Sequence, residues 1–255
     1  MASRVFITGA SSGIGAAFAA HYARVGAELG LCARRLAPTQ ALLSNLGTRG
    51  ACYQADVTDS KALQAAASDF IARFGPPDIV IANAGVGAGT LTENADDLAV
   101  FRTIMDTNVL GIVTTFQPFV AAMRERRSGT LVGIASVAGI RGLPGHGAYC
   151  SSKAGVIAYC ESLRGELRPF GVGVVTILPG YIDTPLTRGN RYSMPFLMPA
   201  AAFADRAHAA IVAGTSYRVI PWQMGIVAKL MRALPNALFD RLLAGRPRKQ
   251  RRSES

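Results

Sequence analysis

The chain has 255 residues, half of them apolar, with 27 glycines and no low-complexity tract, which suits one large α/β domain with a substantial core. No apolar run approaches the roughly 20 residues that a bilayer-spanning helix needs, and Cys32, Cys52, Cys150 and Cys160 lack metal-ligand spacing, so no metal site is expected. Of the formal charge of +11, residues 246–255 supply +4 and the rest is scattered through apolar segments, which argues against nucleic acid as a partner and suits a polyanionic ligand.

Met1-Ala2-Ser3-Arg4 runs straight into a first strand at Arg4–Thr8 with no cleavable leader ahead of it, so a cytoplasmic location is expected. Further strands are predicted at Leu29–Ala33, Ala51–Gln54, Asp78–Ala82, Gly129–Ile134, Val172–Leu178 and Tyr217–Ile220. Most are near-continuous apolar runs, as in strands covered on both faces. Helices are predicted between them near Gly13–Val25, Thr39–Leu46, Lys61–Phe74, Asp96–Ala122 and Ala148–Pro169, with Gly26, Gly47 and Gly75 as stop signals. The alternation predicts an α/β fold, a doubly wound parallel sheet in a single domain. Residues 184–200, rich in Pro, Met and Arg, read as a long loop or short helices.

Residues 222–245 carry two apolar rows at helical spacing. One holds Ile226, Leu230, Leu234, Leu238 and Leu242, the other Val227, Met231, Phe239 and Leu243, and Pro235 divides the segment into two helices. So wide an apolar face needs a partner: the enclosing substrate lobe, a second subunit or a lipid surface. Packing within the protein or its oligomer is the expected outcome. Arg246, Arg248, Lys249, Arg251 and Arg252 follow as a basic tail and leave peripheral membrane contact as the alternative.

Between the first strand and the first helix stands Thr8-Gly9-Ala10-Ser11-Ser12-Gly13-Ile14-Gly15. Glycines there permit a tight turn and let backbone N–H groups approach a pyrophosphate at the positive helix end. Downstream come Asp56-Val57, Asn83-Ala84-Gly85, Asn108, Ser136, Tyr149 four residues before Lys153, and Pro179-Gly180 followed by Ile182 and Thr184. In that order, over residues 4–220, these motifs resemble the short-chain dehydrogenase/reductase family.

The resemblance implies a Rossmann-type fold and an oxidoreductase that passes a hydride between a nicotinamide cofactor and a carbonyl or alcohol group. Residues 1–221 would form the dinucleotide-binding and catalytic part and 222–255 a helical extension of the same domain. It implies that Asp56 meets the adenine, that Asn83-Ala84-Gly85 borders the cofactor, and that Ile182 and Thr184 contact the carboxamide. Structural alternatives remain open: Asp56 as a helix cap and Asn83 as the holder of a turn. Where an acid would accept the ribose 2′-OH of NAD, the sequence has Ala33 followed by Arg34 and Arg35. The missing acid and the two guanidinium groups predict NADP(H).

Tyr149 and Lys153 share a helix face one turn apart. A neighbouring ammonium and a positive nicotinamide ring favour the phenolate, so a lowered Tyr149 pKa and an acid/base role are expected. Ser136 would hydrogen-bond the substrate oxygen or else cap its own turn. By the resemblance, Asn108 would kink its helix and hold a water that relays protons to Lys153. His146 reads as a rim residue.

The intact set argues against a non-catalytic NADP(H) sensor or scaffold on the same fold. Leu186, Met194, Pro195, Phe196, Leu197 and Met198, with Gly142-Leu143-Pro144, predict an apolar substrate. The resemblance further implies a homodimer or homotetramer, paired through the long helices near 110–126 and 148–169.

Overall fold

A computed structural model describes residues 2–190 and 192–245. Seven parallel strands form one sheet: β1 (Arg4–Thr8), β2 (Glu28–Ala33), β3 (Gly50–Gln54), β4 (Ile79–Ala82), β5 (Thr130–Ile134), β6 (Gly173–Pro179) and β9 (Tyr217–Ile220). Their order is β3-β2-β1-β4-β5-β6-β9. The chain reverses its winding between β1 and β4, and ligands bind at such a switch point, outside the carboxyl ends of the strands.

Alternate residues of each strand feed two separate cores, because side chains alternate across a pleat. Val5, Ile7, Leu29, Leu31, Val175 and Ile177 pack under α1 (Gly13–Arg24) and α8 (Ala200–Val212). Phe6, Val80, Leu131, Val174 and Leu178 pack under α3 (Ser60–Phe74), α5 (Gly111–Arg126) and α6 (Gly147–Leu167). Phe6 meets Phe70 and Phe119 with ring centroids 5.5 and 4.9 Å apart. Burial on both faces explains why the strands read as apolar runs.

Four stretches differ from the sequence expectation. Helix α2 (Leu36–Leu46) starts three residues before Thr39, because Pro38 lies in the first turn, where its missing N–H leaves no bond unmade. The single long helix expected over 96–122 is α4 (Asp97–Met105), a widened turn at Asp106–Leu110, and α5. The 184–200 segment holds α7 (Pro185–Arg188) and β8 (Met198–Pro199), which pairs in parallel with β7 (Ile182–Asp183) just before the segment. Helix α8 was not foreseen; it buries Phe203, Ala204, Ala207, Ala210 and Ile211, with Phe203 edge-on to Phe18 of α1.

Pro235 does divide the last segment, into α9 (Trp222–Ala233) and α10 (Asn236–Leu243). The two apolar rows fare differently. Val227, Met231, Phe239 and Leu243 turn inward to varying depth, whereas Ile226, Leu230, Leu238 and Leu242 face outward. The basic tail from Arg246 lies outside the described residues.

Candidate active site

The glycine turn leaves β1 at the switch point. Gly9 has φ +67°, and a Cβ there would stand 2.8 Å from the Cα of Ala84; a Cβ on Gly15 would stand 2.3 Å from the Gly9 carbonyl oxygen. Both approaches demand glycine. Asn83 ties the turn down: its Nδ2 donates to the carbonyls of Thr8 (3.1 Å) and Gly9 (3.3 Å). The turn opens α1, whose cap residue Ser12 makes no side-chain capping bond and whose first turn has no acidic residue. The helix end therefore keeps its N–H groups and positive dipole for an anion.

A cavity of about 610 Å³ runs along the carboxyl ends of the strands, walled by Gly9, Ser11, Ser12, Gly13, Ile14, Arg34, Arg35, Asp56, Val57, Asn83, Ala84, Gly85, Pro179, Gly180, Ile182 and Thr184. Of the residues expected at a cofactor, only Gly15 is off this wall, packed behind the turn. Asp56 has a double use. One oxygen accepts from the N–H and hydroxyl of Thr58, both at 2.9 Å, and the other lies 4.0 Å from Arg34. It caps no helix; Asp59 caps α3, accepting from the N–H groups of Lys61 and Ala62. Thr184 caps α7 in a reciprocal box with Thr187, a pairing the sequence reading did not single out.

Ser136, Tyr149 and Lys153 stand at the inner end of the same cavity. The Ser136 hydroxyl accepts from the Ala138 N–H at 3.2 Å and is also hydrogen-bonded to Tyr149, so it both caps its turn and reaches the site. Burial pushes the Tyr149 phenol above its ordinary pKa, against the opposing pull of Ser136. Desolvation is the largest influence on the phenol in the chain by itself, so the lowering expected from Lys153 together with a nicotinamide ring does not show there; the Lys153 Nζ is 5.8 Å from the ring centre. Lys153 is itself buried, and burial lowers its pKa from 10.5 to about 8. Its Nζ donates to the Ile134 carbonyl at 2.8 Å, which leaves two ammonium protons for other partners.

Asn108 sits in the widened turn, fully buried and behind the cavity wall. Its Oδ1 accepts from the Val86 N–H at 2.8 Å, and its Nδ2 donates to the Val86 carbonyl at 2.9 Å and to Ser152 Oγ at 3.0 Å. The amide thus clamps the segment after β4 next to Gly85, and its Oδ1 keeps a second lone pair. The turn around it, Asp106–Leu110, is widened to the π pattern. Ser152 and Val86 had no sequence signal of their own.

A second cavity, of about 640 Å³, shares Ser136, Tyr149, Gly180, Leu186 and Thr187 with the first. The two meet at the phenol. Of the residues expected as walls, Leu186 and Pro195 of the 184–200 segment and Leu143 and Pro144 of the other wall line the cavity. Met198 is buried in the core instead, Phe196 and Leu197 face outward, and Met194 accepts at its sulfur from Asn190. The rest of the wall comes from Tyr181, from Tyr192 of the same segment, and from the inner face of α9, Met224, Val227, Ala228 and Met231. Val227 and Met231 were legible as part of the second apolar row; Met224, Ala228 and the two tyrosines were not. His146 lies at the rim, its Nδ1 3.1 Å from the Pro144 carbonyl and its ring 5.9 Å from Tyr192.

The family model for short chain dehydrogenases matches residues 3–194. The chain belongs to the short-chain dehydrogenase family. An uncharacterized oxidoreductase of Myxococcus xanthus is 40% identical over 237 residues, covering 92% of this chain and 93% of the relative. Dehydrogenase/reductase SDR family member 7B of Bos taurus is 32% identical, covering 98% and 83%. Among solved structures, a short chain dehydrogenase/reductase from Burkholderia phymatum in complex with NAD superposes with a TM-score of 0.82 at 24% identity, covering 90% and 92%; that likeness shows the shared fold. This short-chain dehydrogenase is accordingly an oxidoreductase, of a family that binds nicotinamide cofactors.

Proposed function

We propose that the enzyme transfers a hydride between NADP(H) and the carbonyl or alcohol group of a hydrophobic small molecule, acting as a ketone or aldehyde reductase. The observation that carries this reading is the meeting of two cavities at Ser136 and Tyr149. One has the glycine turn and an uncapped helix N-terminus at its far end, fit for a pyrophosphate. The other is walled mainly by Leu, Met, Val, Pro and Tyr side chains, fit for apolar surface.

Arg34 and Arg35 support the phosphorylated cofactor. Both line the first cavity with exposed side chains, and the nearest carboxylate to Arg34 is 4.0 Å away, too far for a strong pair. A 2′-phosphate offers shorter, charge-assisted bonds.

A bound nicotinamide supplies or accepts the hydride at the junction of the cavities. There the Tyr149 hydroxyl gives its proton to the substrate oxygen, or takes one in the reverse direction. Ser136 donates a hydrogen bond to the same oxygen as charge develops on it. Lys153, with a pKa of about 8, is mostly protonated at neutral pH and stabilises the phenolate that proton transfer leaves. Asn108 and Ser152 fix the backbone against which these groups stand.

Oxidation of NADPH and NADH, followed with medium-chain ketones and aldehydes against small sugars and hydroxy acids, tests the reading. Turnover with NADPH and the apolar carbonyls is expected. Better turnover of sugars, or preference for NADH, would overturn the corresponding part.

A further inference from the structure

The outward face of the C-terminal helices is bare. Trp222, Ile226 and Leu230 recur every fourth residue on α9 and are 62%, 50% and 64% exposed; Leu238 and Leu242 on α10 are 52% and 54% exposed. Successive residues on a helix are about 100° apart, so this stripe borders the row formed by Val227 and Met231, which lines the second cavity. Leu186, another lining residue, is 44% exposed. The helices hold the stripe firmly. Arg141 donates to the carbonyls of Met231, Arg232 and Leu234 and to Asn236 Oδ1, and its guanidinium lies 3.8 Å from the centre of the Phe239 ring.

We propose that this face docks on an anionic lipid surface, with α9 and α10 lying in the plane of the headgroups and the second cavity beside the lipid. A row of large apolar side chains at a fixed position is the kind of patch that marks an interaction surface, and Trp favours the membrane–water boundary. Charge selects the occupant. Residues 222–255 carry eight basic and two acidic side chains, and Lys229, Arg232 and Arg241 are exposed on the two helices themselves. A second copy seated face to face across a two-fold axis would set this positive stretch against itself, whereas an anionic headgroup layer complements it. With 12 residues, α9 spans about 18 Å, and no described helix is long and apolar enough to cross a membrane. The geometry points to lying on the surface.

The test is co-sedimentation of the full-length protein with vesicles of phosphatidylcholine, with and without phosphatidylglycerol, at low and high salt. Binding is expected only to the anionic vesicles, weakened by salt. The double change Leu230→Ser with Leu238→Ser should weaken it roughly tenfold or more, and NADPH binding measured on the same samples reports that the fold is intact. Lys229→Glu with Arg232→Glu, which leaves the apolar packing untouched, should weaken it as well and guards against a misfolded first variant. Absence of binding to anionic vesicles, or equal binding by wild type and both variants, overturns the proposal. So does light scattering that shows a wild-type dimer broken by the serine changes with no vesicle binding, which would make a second copy the occupant.

Discussion

Tyr149 meets opposite demands: burial keeps its proton on at neutral pH, and the reverse reaction needs that proton off. Carbonyl reduction should therefore hold up through neutral pH and fall only as the phenol ionises, while alcohol oxidation should rise with pH; two parallel profiles would contradict this assignment. Tyr149→Phe should remove more than nine-tenths of kcat, at least about 1.4 kcal/mol of barrier, while NADPH binding stays near wild type. Lys153 makes a second, separable prediction. Its folded pKa of about 8 lies below the ordinary 10.5, so folding is penalised while the amine is charged, fully below pH 8, and the penalty fades as pH rises towards 10.5. The inactive variant Lys153→Met should thus gain stability relative to wild type by roughly 3 kcal/mol at most near pH 7, and denaturant melts should show that advantage shrinking with pH. Changing Arg34 and Arg35 together to Ala should weaken NADPH by about tenfold to a hundredfold and leave NADH nearly unaffected, measurable by fluorescence titration. At this scale the sequence was most legible for groups with one possible use. Ser136, Asp56 and Asn83 each carry two, and residue type alone does not show how a hydroxyl or carboxylate divides its lone pairs. Asn108 shows the limit: its position could be read, but its partners, Val86 and Ser152, are 22 and 44 residues away.

Among the elements, strands and most helices were legible because the apolar period and the stop glycines agree. Misreadings arose where one local signal hid another. Helix α2 begins at Leu36 rather than Thr39, with Pro38 in the first turn, where a helix tolerates it. The turn at Asp106–Leu110 keeps helical composition and breaks only the hydrogen-bond pattern, which no residue type announces. Helix α8 contributes chiefly alanines to its buried face, so its apolar row was faint beside the preceding loop, although Phe203, Ala207 and Ile211 follow helical spacing. Element starts depend on short-range chemistry that can be tested directly. Asp59 holds two N–H groups at the start of α3, and Asp59→Ala should cost about 1 kcal/mol of stability. Asp56, which caps nothing, should cost little stability when changed to Asn; a larger loss for Asp56→Asn than for Asp59→Ala in thermal melts would reverse the two roles.

For the molecule as a whole, the second cavity depends on a long-range clamp. Arg141 joins the segment after β5 to the corner between α9 and α10, some 90 residues on, by bonds of 3.1 Å to Arg232 and 2.7 Å to Leu234. Arg141→Ala should loosen the α9 wall, raising KM for an apolar substrate severalfold with little change in NADPH affinity; steady-state kinetics and cofactor titration on the same preparation would separate the two. The clamp also bears on how the chain is divided. The family match ends at residue 194, within the part that holds Ser136, Tyr149 and Lys153, yet Met224, Val227, Ala228 and Met231 come from beyond it. The groups that handle the proton and much of the second cavity's wall thus come from different parts of one domain, so changes in α9 can reshape that wall without touching Ser136, Tyr149 or Lys153. A chimera carrying the 195–245 segment of a relative with a different substrate should adopt that relative's selectivity while keeping this chain's cofactor affinity and its dependence on Tyr149.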